Sequence, residues 1–156
     1  MSSTNIPHLV NQLTQSFAAT QAMINKLDLN LVVYADPEWR VRDVTWHLAV
    51  WDRQSAKSIQ AFVDGSDYAI PNFEEHKFNT SAQLEGRSLT PEQLRRQCQQ
   101  AREEFKNAVA QVPAGKENTE FMYPWGDESG DVAQLVSYMV EHDEEHRQEI
   151  NSITNP

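Results

Sequence analysis

Two histidines near the end of the chain, His142 and His146, are four residues apart within the segment 131–150. On a helix, side chains four residues apart lie on the same face, so both imidazoles can bind one metal ion. The apolar residues of the segment place the two histidines on the side of the helix that faces the core. Two imidazoles do not complete a metal site, and His47 is the best candidate for a third ligand.

A pair of histidines at this spacing is also common by chance, and the alternative is two helix histidines without a metal. The sequence from His142 to His146 resembles the zincin motif H-E-x-x-H, but Asp143 stands where that motif has its general base. Ten residues follow His146, which is too few for the usual further zincin ligand. The metalloprotease interpretation is therefore rejected.

The composition predicts one soluble domain over residues 1–156, with 39% hydrophobic and 23% charged residues. The net charge of −10 disfavours binding to nucleic acid, because phosphate backbones carry the same sign of charge. No apolar run is long enough to span a bilayer, and the N-terminus lacks the features of a signal peptide. A single cysteine, Cys98, excludes an intramolecular disulfide and predicts a cytoplasmic location.

Four segments have apolar residues at helical period and predict an all-α bundle without any sheet. The predicted helices cover residues 6–27, 41–62, 91–112 and 132–150. Thr90, Pro91 and Gln93 form a strong helix start, and Asp131 or Ser129 is expected to cap the last helix. The long connections at 64–89 and 116–130 are expected to be functional or to contain a short extra helix.

Two stretches of the sequence resemble the DinB-like superfamily. The sequence Trp39-Arg-Val-Arg-Asp-Val-Thr-Trp-His-Leu-Ala-Val-Trp-Asp52 resembles the second helix of that family, and 141–150 resembles its last helix. The resemblance covers essentially the whole chain and puts His47, His142 and His146 in the metal-ligand positions. It implies a four-helix bundle with up-down-down-up topology, and the connection at 64–89 would be the long crossover that this topology needs.

Three neutral imidazoles would leave one coordination position open, which is typical of a catalytic metal site. Zinc or nickel is the expected ion, and iron or manganese would also accept these ligands. The resemblance implies a metal-dependent hydrolase or a thiol S-transferase that acts on a small molecule, with a low-molecular-weight thiol as partner in the second case. It also implies a homodimer. A non-catalytic protein that sequesters a toxic small molecule, or a structural dimer with vestigial histidines, is the alternative.

Other residues are candidates to support such a site. The carboxylates expected to orient the imidazoles are Asp43, Glu145 and Glu149, each of which is otherwise an ordinary surface charge. The residues expected to line a pocket are Trp46, Trp51, Asn79, Tyr123 and Trp125, although core packing is the alternative for Trp51. The basic residues close to the histidine motifs are Arg40, Arg42, Arg53 and Arg147, so no basic cluster for an acidic thiol cofactor is evident.

Overall fold

The computed structural model describes residues 4–156, and this part of the chain is mostly helical. Its helices are α1 (Ile6–Ile24), α2 (Val41–Val63), α3 (Glu75–Gly86), α4 (Pro91–Ala110) and α5 (Val132–Thr154). The first three residues of the predicted domain lie outside the described part. Among the described residues, none of the helices is both long enough and apolar enough to span a membrane.

Four of these helices correspond to the predicted ones, with differences at their ends. Helix α1 stops at Ile24 rather than at residue 27, because Leu27 lies in a turn in which its N–H donates to the carbonyl of Ile24. Helix α5 continues beyond Ile150 to Thr154. The additional turn is mostly polar, so the apolar periodicity gave no sign of it.

The prediction that no sheet is present was wrong. Strands β1 (Val32–Ala35) and β2 (Glu38–Arg40) form an antiparallel hairpin, and β3 (Phe121–Met122) pairs with β4 (Ser129–Gly130). These strands have two to four residues, too few for a period-2 pattern to be recognised in the sequence. The hairpin matters for the site, because it pairs Tyr34 with Trp39 next to the start of α2.

The helix starts follow the predicted caps. Thr90 accepts a hydrogen bond from the N–H of Gln93, whose side chain accepts one from the N–H of Thr90. Asp131, rather than Ser129, caps α5 by accepting from the N–H of Gln134. These caps provide hydrogen-bond acceptors for backbone N–H groups that have no partner within the helix.

The four long helices surround a core of fully buried side chains, and α3 lies on the outside against α2. Helix α2 packs against α4 and α5, and α1 packs against the same two helices. Leu13, Ile59, Phe105 and Leu135 are among the fully buried apolar residues of these helices. The arrangement brings one face of α2 towards one face of α5, which is the contact on which the candidate site depends.

Gly86, at the end of α3, packs against Trp46 of α2. The Trp46 indole lies against it and donates a hydrogen bond of 2.9 Å to the carbonyl of Ala82. A Cβ at Gly86 would overlap the indole ring. We expect Gly86→Ala to lower the free energy of unfolding, because overpacking of about 1–3 kcal/mol outweighs the propensity gain of at most about 1 kcal/mol. Urea unfolding measures the difference.

Glu85→Ala is the matched control for this substitution, because Glu85 precedes Gly86 in α3 and is exposed. Its effect should stay within about 0.5 kcal/mol. A Gly86→Ala variant as stable as this control would contradict the close packing of α3 on α2.

Candidate metal centre

Three imidazoles from two helices meet at one point. His47 on α2 and His142 on α5 have their Nε2 atoms 3.0 Å apart, and the Nε2 atoms of His142 and His146 are 3.1 Å apart. The three residues offer ligand atoms that all lie within 4.8 Å of one another. The structure therefore brings together the three histidines that the sequence predicted as ligands.

Burial keeps these imidazoles neutral. The pKa of His47 falls to about 2, first because the ring is buried and then because the other two imidazoles are close. Burial likewise lowers the pKa of His142 to about 4, with His146 as the next cause, and lowers the pKa of His146. Neutral imidazoles carry a free lone pair, which is the form that binds metals.

The donor set fits a metal ion. Nitrogens bound to one tetrahedral zinc at about 2.0–2.1 Å lie about 3.3 Å apart, close to the distances between these Nε2 atoms. The Nε2 atom of His142 faces the Nε2 atoms of His47 and His146. The buried Nδ1 atom of His142 has no hydrogen-bond partner among the described residues. A cation between the rings would satisfy three converging lone pairs at once. These residues can therefore hold a divalent metal ion.

The outer nitrogen of His146 is held by a tyrosine that the sequence analysis did not single out. The Tyr34 hydroxyl lies 3.2 Å from Nδ1 of His146 and donates a hydrogen bond to Glu149. Burial and this hydrogen bond raise the pKa of Tyr34. The nearest carboxylate oxygen of Glu149 is 3.7 Å from Nδ1 of His146. Glu149 is thus placed beside the imidazole that it was expected to orient, with Tyr34 between them.

Three other candidates have different surroundings from those expected. Asp43 accepts a hydrogen bond of 2.8 Å from the N–H of Arg40, so its carboxylate caps α2 and does not contact an imidazole. Trp46 packs against α3. Tyr123 is fully buried and donates a hydrogen bond to the carbonyl of Asp131. Neither of these two aromatic residues lines the pocket at the histidines.

A pocket of about 750 Å³ opens above the three imidazoles. Three of the five predicted pocket residues line it, namely Trp51, Asn79 and Trp125, and so does Glu145, which was expected to orient an imidazole. Asn79 accepts a hydrogen bond of 3.1 Å from the Trp51 indole, and this leaves the amide N–H groups of Asn79 available to a ligand. The lining residues that the sequence analysis missed are Tyr34, Asp36, Pro37, Trp39, Phe73, Glu75, Tyr138, Met139 and Glu141. Most of them come from the hairpin, from α3 and its approach, and from the exposed side of α5.

Comparison with known proteins assigns the chain to a family. Residues 10–143 match the family described as the mycothiol maleylpyruvate isomerase N-terminal domain. The chain belongs to this family. The family is part of the DinB/YfiT-like superfamily, so the resemblance noted in the sequence is confirmed. The matched range includes His47 and His142 and ends before His146.

Solved structures support the same fold. Two crystal structures of a mycothiol-dependent maleylpyruvate isomerase, one of them of a histidine-to-alanine mutant, superpose on the chain with TM-scores of 0.75. The sequence identities are 11% and 10%, so this likeness shows the fold alone. The alignments cover 96% of this chain but 63% of each solved chain. No curated protein sequence matches the chain significantly.

A buried ionic network adjoins the histidines of this family member, because Asp143 directly follows His142 on α5. The guanidinium of Arg102 donates to both carboxylate oxygens of Asp52, at 2.8 and 3.0 Å, and to Asp143, at 3.0 and 3.1 Å. It also donates to the carbonyl of Leu13, and the Ser16 hydroxyl donates to Asp143. The network therefore joins α1, α2, α4 and α5. Asp143 is 2% exposed, so its carboxylate is buried together with Asp52 and Arg102.

Proposed function

We propose that the protein is a metal-dependent enzyme in which His47, His142 and His146 hold a divalent ion, and that it uses a low-molecular-weight thiol to act on a small molecule. The observation that carries this proposal is the convergence of three neutral Nε2 atoms at the base of a pocket large enough for a small ligand. Zinc or nickel is the proposed ion, and iron or manganese also suits imidazole ligands.

The proposal includes a single domain over 1–156 with a four-helix bundle of up-down-down-up topology. Two helices run parallel when successive contacts between them move towards the C-terminus on both helices. Such contacts are Ser16–Asp143 and Thr20–Arg147 for α1 with α5, and Thr45–Cys98 and Asp52–Arg102 for α2 with α4. In this topology α3 is an addition to the long crossover, and α2 and α5 are neighbours, as the metal centre requires.

The chemistry of the proposed site follows from its donors. A divalent ion held by His47, His142 and His146 would keep its positive charge and would lower the pKa of a thiol or water bound to it. The chain supplies the rest. Tyr34 and Glu149 fix the orientation of His146. The hairpin and α3 contribute walls of the pocket, and the Asn79 amide can donate a hydrogen bond to a ligand.

Use of a thiol is favoured over hydrolysis. The family description and the solved structures name mycothiol, which is a low-molecular-weight thiol, as the partner of related proteins. The chain's own cysteine does not replace such a thiol, because Cys98 is buried against Thr45 and burial raises its pKa to about 12. A thiol that ionises near neutral pH would therefore come from solution. A hydrolase with the same ligands remains the second candidate.

A non-catalytic sequestering protein is the alternative from another class. It is supported by the pocket itself, because aromatic walls bind small molecules whether or not a reaction follows. In that case the histidines would contribute to ligand binding alone.

A homodimer and a cytoplasmic location also belong to the proposal. The location is proposed because thiol chemistry needs a reducing compartment. Light scattering on the purified protein tests the dimer.

Cobalt-substituted protein separates these functions. We expect one Co²⁺ per chain and, on addition of N-acetylcysteine, a near-ultraviolet charge-transfer absorption from thiolate to cobalt. His47→Ala should lose both signals. Binding of cobalt without any thiol-dependent absorption, together with metal-dependent hydrolysis of a nitrophenyl ester, would favour the hydrolase. Absence of stoichiometric metal would overturn the proposal and favour the sequestering protein.

A further inference from the structure

We infer that the small molecule bound in this pocket is an organic cation that carries a primary or quaternary ammonium group. The inference rests on the proposed function, because the pocket is the one above the three histidines. It concerns the part of the ligand that lies away from the metal position. Three features of the pocket carry it: its carboxylates, the placement of the nearby arginines, and its aromatic walls.

Carboxylates from three elements surround the pocket. They are Asp36 at the hairpin turn, Glu75 at the start of α3, and Glu141 and Glu145 on α5. All four residues are exposed, so they stand at the rim, and none of them forms an ion pair among the described residues. Glu141 receives one long hydrogen bond from Ser137, at 3.5 Å. The rim therefore carries negative charge that the protein itself does not neutralise.

No lysine or arginine lines the pocket in residues 4–156. The four arginines close to the histidine motifs all have partners elsewhere. Arg40 pairs with Glu38, Arg42 donates to the carbonyls of Gly86 and Leu89, Arg53 contacts Gln97 and Glu104, and Arg147 donates to Ser16 and Thr20. An anionic group away from the metal position would thus meet carboxylates without a counter-charge, which disfavours its binding.

Aromatic rings form the walls between the rim and the imidazoles. Trp39 packs edge-on against His47, with ring centroids 5.4 Å apart. Trp51, Trp125 and Tyr138 also line the pocket and form a continuous group, with centroid distances of 6.3 and 6.1 Å. The faces of tryptophan and tyrosine attract ammonium groups, most strongly where water is excluded. Aromatic walls combined with unpaired carboxylates are the chemistry that recognises an organic cation rather than a merely apolar ligand.

The metal does not remove this preference. A divalent ion bound by three neutral imidazoles attracts the anionic or electron-rich end of a ligand, such as a thiolate. The four carboxylates are exposed, whereas the imidazoles are buried or half-buried, so solvent partly screens the ion's charge at the rim. The ligand that fits both regions has a reacting group for the metal position and an ammonium group at the rim.

Three probes of nearly equal shape test the inference. Choline, its uncharged isostere 3,3-dimethylbutan-1-ol, and the anion 3,3-dimethylbutanoate are titrated against zinc-loaded and chelator-treated protein at low ionic strength, with tryptophan fluorescence as readout. We expect choline to bind about tenfold more tightly than the alcohol in both forms of the protein. We also expect the preference to shrink as salt is added.

Matched variants assign the preference to the rim. The double variant Glu75→Gln/Glu141→Gln should reduce the choline preference by about threefold or more, since it removes two of the four carboxylates. The control Glu85→Gln/Glu144→Gln changes the net charge equally, on exposed positions of the same two helices outside the pocket. It should leave the preference unchanged.

Several results would overturn the inference. They are equal binding of choline and its isostere, tighter binding of the anion to the chelated protein, no binding of choline at about 10 mM, or a rim variant that behaves like its control. These results leave the cobalt experiment unaffected, so the proposed function can stand when this inference fails. Conversely, a choline preference in a protein that binds no metal supports the cation pocket and rejects the metal enzyme.

Discussion

Replacing the His47 imidazole should abolish stoichiometric metal binding while the helices stay in place. A structural zinc site contributes about 10–16 kcal/mol through four ligands, so the loss of one ligand is expected to weaken binding by at least about a hundredfold. His47→Ala removes a side chain at the base of an open pocket, which limits the packing that is lost with it. Elemental analysis after purification without added metal measures the first effect, and circular dichroism measures the second.

Thermal unfolding with and without chelator makes the same prediction quantitative. At a free metal concentration a thousandfold above the dissociation constant, bound metal stabilises the folded state by about 4 kcal/mol. Chelator should therefore lower the midpoint of the parent protein and leave that of His47→Ala unchanged. His8→Ala, at an exposed position of α1, is the control and should behave like the parent. The metal hypothesis fails if chelator leaves the parent midpoint unchanged while His47→Ala lowers it.

The long helices could be predicted from the sequence because each repeats an apolar stripe over five or more turns, and two of them begin with a recognisable cap. Thr90 with Gln93, and Asp131 with Gln134, are local signals that need no partner from elsewhere in the chain. The three buried residues of α3, Ala82, Gln83 and Gly86, are small or polar. The apolar periodicity of this segment is therefore too weak to predict a helix. The hairpin was missed because its strands are three and four residues long.

The histidines were identified because their spacing and the resemblance restrict where ligands can lie. The walls of the pocket could be identified only in part, namely at Trp51, Asn79 and Trp125. Tyr34 and Trp39 reach the site through the unpredicted hairpin, and Tyr34 then takes part in the contact between His146 and Glu149. Asp43 was misassigned for a related reason. A carboxylate one turn before His47 can either orient an imidazole or cap the start of α2 at Arg40, and the sequence alone does not choose between these two roles.

The buried ion pairs of Arg102 were not predicted from the sequence, and breaking them is the second change for which we expect a large effect. Arg102 on α4 is 2% exposed and lies between Asp52 and Asp143, which come from two other helices. A charged residue on a helix is normally assigned to the surface, because burial of an unpaired charge costs several kcal/mol. Its partners are 50 and 41 residues away, so nothing local in the sequence reveals the pairing.

Arg102→Met should therefore destabilise the protein by about 3–5 kcal/mol, because it leaves two buried carboxylates without a counter-charge. For a chain of this size, that loss corresponds to a fall of roughly 6–20 °C in the unfolding midpoint. Urea unfolding gives the free energy, and thermal unfolding gives the midpoint. Arg96→Met, the same substitution at an exposed position of α4, should change stability by at most about 0.5 kcal/mol.

A double variant shows whether the loss comes from unpaired charge rather than from lost packing. Burial already raises the pKa of Asp52 to about 6, even though the Arg102 guanidinium opposes the shift. Without Arg102, the carboxylate of Asp52 is expected to be a main source of the penalty. The variant Asp52→Asn/Arg102→Met should therefore be more stable than Arg102→Met alone by about 1–3 kcal/mol, a coupling that two independent sites would not show. If the second substitution instead adds to the loss, packing rather than charge explains the effect, and the network does not hold the four helices together electrostatically.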